Sequence, residues 1–234
     1  MPSSKSKELI APNKKELPLS FLCWFAYLLG FPLLLSLFPA LNGEELHKQF
    51  LFNLALYVLS FSLILLVYRD FLFRSKMPFP IFLASIFFGL LLTYGLSNFF
   101  GSLLYTFLQF FPIERENLNQ STVVSFLQAY RIPMILQVVI LAPVVEEILF
   151  RGTIFGPLCK KSPFLAYVAS MALFSAMHIL GSMGDQTFLE LLISFVEYLP
   201  AGFALCFCYQ HYRSIWVPIA VHGLMNLLST MLIV

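Results

Sequence analysis

Charge is scarce in this sequence. Asp, Glu, Lys and Arg make up 11% of its 234 residues, against about a quarter in soluble globular domains. That excludes a mostly solvated domain. The few basic residues are dispersed, so no basic patch exists for a nucleic acid, and nucleic acid is not expected as a partner. Cysteine is scarce too. Cys23, Cys159, Cys206 and Cys208 build no disulfide framework, because Cys206 and Cys208 lie two residues apart and point in different directions on a helix. They read as small buried hydrophobes. Several catalytic signatures are missing as well. There is no His-Glu-x-x-His zinc helix and no Gly-x-Ser-Gly, and Gly181-Ser-Met-Gly-Asp185 is not Gly-x-Gly-Asp. The first apolar run lacks an Ala-x-Ala cleavage site and is too long for a signal-peptide core, so it is expected to remain as an anchor.

Apolar residues are plentiful: 59% of the chain is hydrophobic, 27 residues are Phe, and the mean hydropathy is +0.85. These values call for an all-α, polytopic transmembrane bundle. Seven spans are expected, near residues 19–41, 50–68, 79–111, 132–158, 163–181, 188–209 and 215–234. The third run exceeds one bilayer crossing and should be tilted, or bent near Gly95 and Asn98. Its Gly89, Thr93, Ser97 and Gly101 recur every four residues, a smooth stripe for a neighbouring helix. The chain is expected to divide into a disordered cytoplasmic tail (residues 1–18), N-terminal transmembrane helices with an external loop (19–131), and a C-terminal transmembrane core (132–234). With the N-terminus inside, ten basic residues fall in inner segments and three (Lys48, Arg115 and Arg131) in outer ones. The positive-inside rule therefore supports a cytoplasmic N-terminus.

Everything centres on Ala142-Pro-Val-Val-Glu-Glu-Ile-Leu-Phe-Arg-Gly152, where Glu146, Glu147 and Arg151 interrupt an apolar span. On insertion scales each charge costs about 3 kcal/mol at mid-membrane, while each Ile, Leu, Val or Phe returns about 0.3–0.6. The span is tolerable if Glu147 and Arg151, at i and i+4, pair on a face turned to the bundle interior. Glu146, about 100° further round, has no partner in its own turn. A carboxylate left free in a membrane is a functional candidate. Pro143 should leave the carbonyl one turn earlier unbonded.

Further polar residues converge at a similar depth by a helix rise of ~1.5 Å per residue: His178 in the fifth span, His222 and Asn226 in the seventh. Phe174 and His178 share one face, as do His222 and Asn226. Glu146-Glu147-x-x-x-Arg151-Gly152, then Phe174-x-x-x-His178, then His222-x-x-x-Asn226, in that order on separate spans, resembles the CPBP family of intramembrane proteases. That family is also called Abi or CAAX protease and includes the Rce1 type of prenyl-protein endopeptidase. The resemblance covers about residues 134–234.

The resemblance implies an intramembrane endopeptidase acting on a membrane-associated peptide or protein, lipid-anchored or membrane-spanning, with the bilayer as its setting. Peptide hydrolysis needs an activated water, a proton acceptor and donors for the oxyanion. Glu146 suits the general base, His178 would polarise the water, and His222 and Asn226 would donate to the tetrahedral oxygen. Glu147 and Arg151 would orient the site. Two cofactor readings stand side by side: none, or a divalent metal such as zinc held by Glu146, His178 and His222. The rival is a non-hydrolytic membrane protein with an immunity or binding role, or a proton-coupled transporter. The crowding of polar residues into the C-terminal half, without an inverted repeat, speaks against transport. Glu197 in the sixth span has no role derivable from the sequence. The expected location is a bacterial plasma membrane.

Overall fold

A computed structural model describes residues 9–110 and 117–233. Among them the chain is helical and contains no strand. The helices are α1 (Ser20–Ser36), α2 (Leu46–Val67), the short α3 (Arg69–Arg74), α4 (Phe79–Leu108), α5 (Leu118–Ala129), α6 (Arg131–Cys159), α7 (Pro163–Leu180), α8 (Phe188–Tyr212) and α9 (Trp216–Ile233). Five of these, α2, α4, α6, α7 and α8, are long and apolar enough to cross a membrane. The apolar stretches Ser20–Ser36 and Trp216–Leu232 are shorter, about 26 Å at 1.5 Å per residue against a ~30 Å hydrocarbon core. Each of the seven expected apolar runs is thus a helix. The third is a single continuous one, with the Asn98 amide satisfied by the Tyr94 carbonyl at 2.8 Å.

Local chemistry sets the boundaries. Ser162 caps α7 by accepting from Leu165 N–H, with Pro163 in the first turn. Thr187 and Glu190 form a capping box at the start of α8, and Arg213 ends that helix in the left-handed conformation (φ 57°). The central element is α6, of whose apolar window 56% is buried, against 17–39% for the other four long helices. Its Val145, Ile148, Leu149 and Phe155 pack with Tyr68, Phe71, Tyr209 and Ile215. Phe150 joins Phe174 of α7, Leu205 and Cys208 of α8, and Val217 and Val221 of α9. The outer helices wrap this one.

Two π-helical stretches, Gln137–Leu141 and Ile148–Phe155, flank the carboxylates within α6. Wide turns shift hydrogen bonds to i→i−5, and they are common at functional sites. Carbonyls in them serve neighbouring helices: Val138 O accepts from Asn226 Nδ2 of α9 at 2.7 Å, and Phe150 O from Ser170 Oγ of α7 at 3.2 Å.

Two expectations need correction. Residues 9–18 are not a disordered tail. Glu16 is buried, accepts from the Phe71 backbone N–H (2.6 Å) and pairs with Arg74 (2.8 Å), and the Tyr209 hydroxyl donates to the Ile10 carbonyl. The buried carboxylate explains the order, because it must stay with its partners. Residues 1–8 lie outside the described part. The small-residue stripe of α4 is used over only part of its length. Gly89 lies against Val221 and Cys208, and Thr93 is buried, but a side chain at Gly101 would meet nothing within 4 Å.

Candidate active site

Glu146 and Glu147 are buried on α6, in the turn that separates the two π stretches. Glu147 is fully enclosed. Its Oε1 accepts from Arg151 Nη1 at 3.0 Å and from His222 Nδ1 at 2.8 Å. Arg151, 0% exposed, also donates from Nη2 to the Gly202 carbonyl of α8 at 3.0 Å and lies 4.5 Å over the Phe174 ring. Glu147 and Arg151 are therefore the knot that ties α6 to α8 and α9.

Glu146 differs. Its Oε1 accepts from the Tyr57 hydroxyl of α2 at 2.8 Å, and Tyr57 in turn accepts from Tyr27 of α1 at 3.3 Å. Its Oε2 is buried and, among the described residues, has no hydrogen-bond partner. That same atom lies 3.9 Å from His178 Nε2 and 3.9 Å from His222 Nε2. A carboxylate oxygen and two imidazole nitrogens thus face one small volume.

The far nitrogens fix the tautomers. His178 Nδ1 meets the Phe174 carbonyl at 2.9 Å. A carbonyl only accepts, so Nδ1 carries the hydrogen and a neutral His178 presents a bare Nε2. His222 Nδ1 likewise points at a carboxylate held by Arg151, leaving its Nε2 bare in the neutral ring. Three acceptors therefore converge: two Nε2 atoms and Oε2. One water supplies two hydrogens, so a third proton or a cation completes the set.

For a cation the donor chemistry is suitable, with each imidazole oriented by a second acceptor behind it. The spacing is not. Tetrahedral zinc with bonds of ~2.1 Å sets neighbouring ligands ~3.4 Å apart, so 3.9 Å is wide by about half an ångström. Among the described residues no group of three His, Cys, Asp or Glu is arranged to hold a metal ion.

Glu146, His178, His222 and Asn226 all line one cavity of ≈220 Å³. Asn226 spends one N–H on Val138 O, which leaves its second N–H for a ligand. The sequence reading passed over several further lining residues. Asn53 and Tyr57, at i and i+4 on α2, face the cavity, as do Asn119 of α5 and Tyr198 of α8. Tyr198 lies on the His178 ring, with centroids 4.2 Å apart, and accepts from Asn119 Nδ2 at 2.9 Å. Glu197 accepts from Asn117 Nδ2 at 3.1 Å, so it takes part in joining α5 to α8. The sequence signal for Asn53, Tyr57, Glu197 and Tyr198 was polar side chains in apolar helices, while Asn117 and Asn119 belong to the polar segment around the start of α5.

A helical membrane bundle enclosing a buried glutamate, two tautomerically fixed histidines and an asparagine around one cavity defines the class. Comparison with known proteins agrees. Residues 128–228 match the family model "Type II CAAX prenyl endopeptidase Rce1-like", which bears out the resemblance carried by the three motifs. The chain is 36% identical over 117 residues to the "Putative membrane peptidase YdiL" of Bacillus subtilis strain 168, covering 50% of this chain and 43% of that protein. It is 31% identical over 129 residues to the UPF0177 protein YbdI of Lactococcus lactis subsp. lactis strain IL1403, covering 53% and 63%. The chain thus spans less than two thirds of the length of either relative. No solved structure matches it.

Proposed function

We propose that this protein is an intramembrane endopeptidase of a bacterial plasma membrane, hydrolysing a peptide bond of a membrane-associated peptide or protein with a water activated by Glu146. The observation that carries the reading is the 3.9 Å approach of Glu146 Oε2 to both His178 Nε2 and His222 Nε2. A water seated there donates one hydrogen to Oε2 and the other to His178 Nε2. The third proton belongs on His222 Nε2. There it faces the lone pairs of the water oxygen, which the two outgoing hydrogens leave free. It also reverses the acceptor role of the neutral ring, giving His222 a hydrogen to donate.

In the reaction Glu146 removes a proton as the water oxygen bonds to the scissile carbonyl carbon. The developing oxyanion is met by His222 Nε2–H and the second N–H of Asn226. Protonated Glu146 then delivers its proton to the leaving nitrogen, the C–N bond breaks, and the carboxylate is restored. Glu147 and Arg151 hold His222 in orientation, and Tyr198 holds the His178 ring. The match to the Rce1-like family and the relative named a membrane peptidase support a membrane peptidase at the level of the family.

The test is a pair of purified proteins in detergent, the natural chain and Glu146→Gln, assayed on a pool of quenched-fluorescent peptides, with proteomics of membranes containing either protein. Loss of cleavage in a normally folded Glu146→Gln protein supports hydrolysis. Equal biological activity of the two proteins would replace it with the binding or transport reading. One equivalent of zinc, removed together with activity by a chelator, would replace the water-only step with a metal-bound one.

A further inference from the structure

The region matched by the family model begins at residue 128, yet among the described residues the one hydrogen bond to the Glu146 carboxylate comes from Tyr57 on α2, and the one behind it from Tyr27 on α1. We infer that Tyr57, itself held by Tyr27, is a positioning residue that turns the Glu146 carboxylate so that Oε2 faces the two histidines. This rests on the reading of Glu146 as the base.

A carboxylate rotates about its last bond, and a glutamate with neither oxygen tethered samples orientations in which no oxygen meets both Nε2 atoms. Tyr57 removes that freedom. Its hydroxyl donates to Oε1 at 2.8 Å, which leaves Oε2 as the oxygen 3.9 Å from both rings. A phenol has one hydrogen to give. Because Tyr27 donates into the Tyr57 oxygen at 3.3 Å, the Tyr57 hydrogen is committed to Glu146. The two rings meet edge to face, with centroids 6.1 Å apart, and Tyr27 is buried, so the relay is held by packing on both sides. Both tyrosines line the cavity beside Glu146. The N-terminal helices therefore complete the site.

The experiment compares the wild type with Tyr57→Phe, Tyr27→Phe, Glu146→Gln and, as a control, Tyr94→Phe, whose buried hydroxyl has no hydrogen-bond partner among the described residues. Two readouts are taken in detergent. One is the infrared band of the Glu146 carboxyl, identified by its loss in Glu146→Gln. The other is the kcat and KM for a quenched-fluorescent peptide that the wild type cleaves. Tyr57→Phe is expected to move the Glu146 band and lower kcat by about 10- to 100-fold, the worth of a hydrogen bond to a charged group, with KM unchanged. Tyr27→Phe moves the band less, and Tyr94→Phe leaves it in place. A Glu146 band unmoved by Tyr57→Phe overturns the inference, whatever happens to kcat. If Tyr57→Phe does not fold, an unmoved band in Tyr27→Phe overturns it equally. If the wild type cleaves no peptide, the protease reading fails while the infrared comparison still decides the Tyr57–Glu146 contact.

Discussion

Gly223 is where a single methyl group should do most damage. It follows His222 on α9, and a Cβ built there would stand 2.4 Å from the backbone oxygen of Val139 on α6. That oxygen sits one turn before Pro143, which cannot donate to it, so α9 approaches α6 at a carbonyl that lacks its usual i+4 donor. Because the obstacle is backbone, a Gly223→Ala chain must separate the helices by about 1 Å to restore the ordinary 3.4 Å contact. His222 and Asn226 ride on the helix that moves. A displacement of that size costs on the order of 100-fold in turnover when it separates catalytic groups, and overpacking costs about 1–3 kcal/mol of stability. The assay is peptide cleavage and thermal unfolding in detergent for Gly223→Ala beside Gly101→Ala, where a new Cβ meets nothing within 4 Å. Wild-type turnover and unfolding temperature in Gly223→Ala would refute the reasoning. A loss shared equally by Gly101→Ala would refute it too.

Other perturbations follow from the same contacts. Arg151→Met strands the Glu147 carboxylate in a fully buried position and should cost about 3–5 kcal/mol, seen as a collapse in yield of folded protein. Combining it with Glu147→Leu should recover much of the yield but not turnover, since His222 Nδ1 then loses its acceptor. Glu16→Ala removes the acceptor shared by Phe71 N–H and Arg74, so trypsin should cut sooner at the exposed Lys14 and Lys15 while peptide cleavage continues. Unchanged trypsin kinetics would show that Glu16 does not hold the segment.

Hydropathy runs and helix periodicity were enough to place the seven apolar helices. The reason is that a bilayer forces every backbone group into local hydrogen bonds, leaving helix length and position to be read from composition. The Glu147–Arg151 pair was equally legible, because i, i+4 spacing on a helix places the two side chains on one face. Contacts between helices were less so. Nothing in the spacing reveals that Glu147 has His222 as a second partner, a contact that crosses 75 residues. It bears on the chemistry, since it leaves Nε2 of the neutral His222 an acceptor, so the oxyanion donor expected beside Asn226 needs a second ring proton. Tyr57 and Asn53 form an i, i+4 pair as clear as any, but tyrosine and asparagine in an apolar helix look like ordinary interhelical bonds until Glu146 is seen opposite. Glu16 illustrates the converse: a lysine-rich, polar segment reads as tail because its partner, Arg74, is on a distant turn.

The π turns of α6 explain why this helix, rather than a regular one, can organise the site. A regular helix uses nearly all of its interior carbonyls for its own i→i−4 bonds, leaving neighbours to dock through side chains alone. By widening at Gln137–Leu141 and again at Ile148–Phe155, and by carrying Pro143 between them, α6 presents Val138 O to Asn226, Val139 O to the Gly223 face and Phe150 O to Ser170. Backbone oxygens are fixed points, so the helices that bring His222, Asn226 and the Phe174–His178 face are set against the frame of α6 instead of against mobile side chains. The carboxylates lie in the regular turn between the two widened ones, where their direction is set by the same frame. A substitution that regularised either π turn would withdraw a docking oxygen from α7 or α9, and so should separate Glu146 from a histidine without touching any residue that lines the cavity.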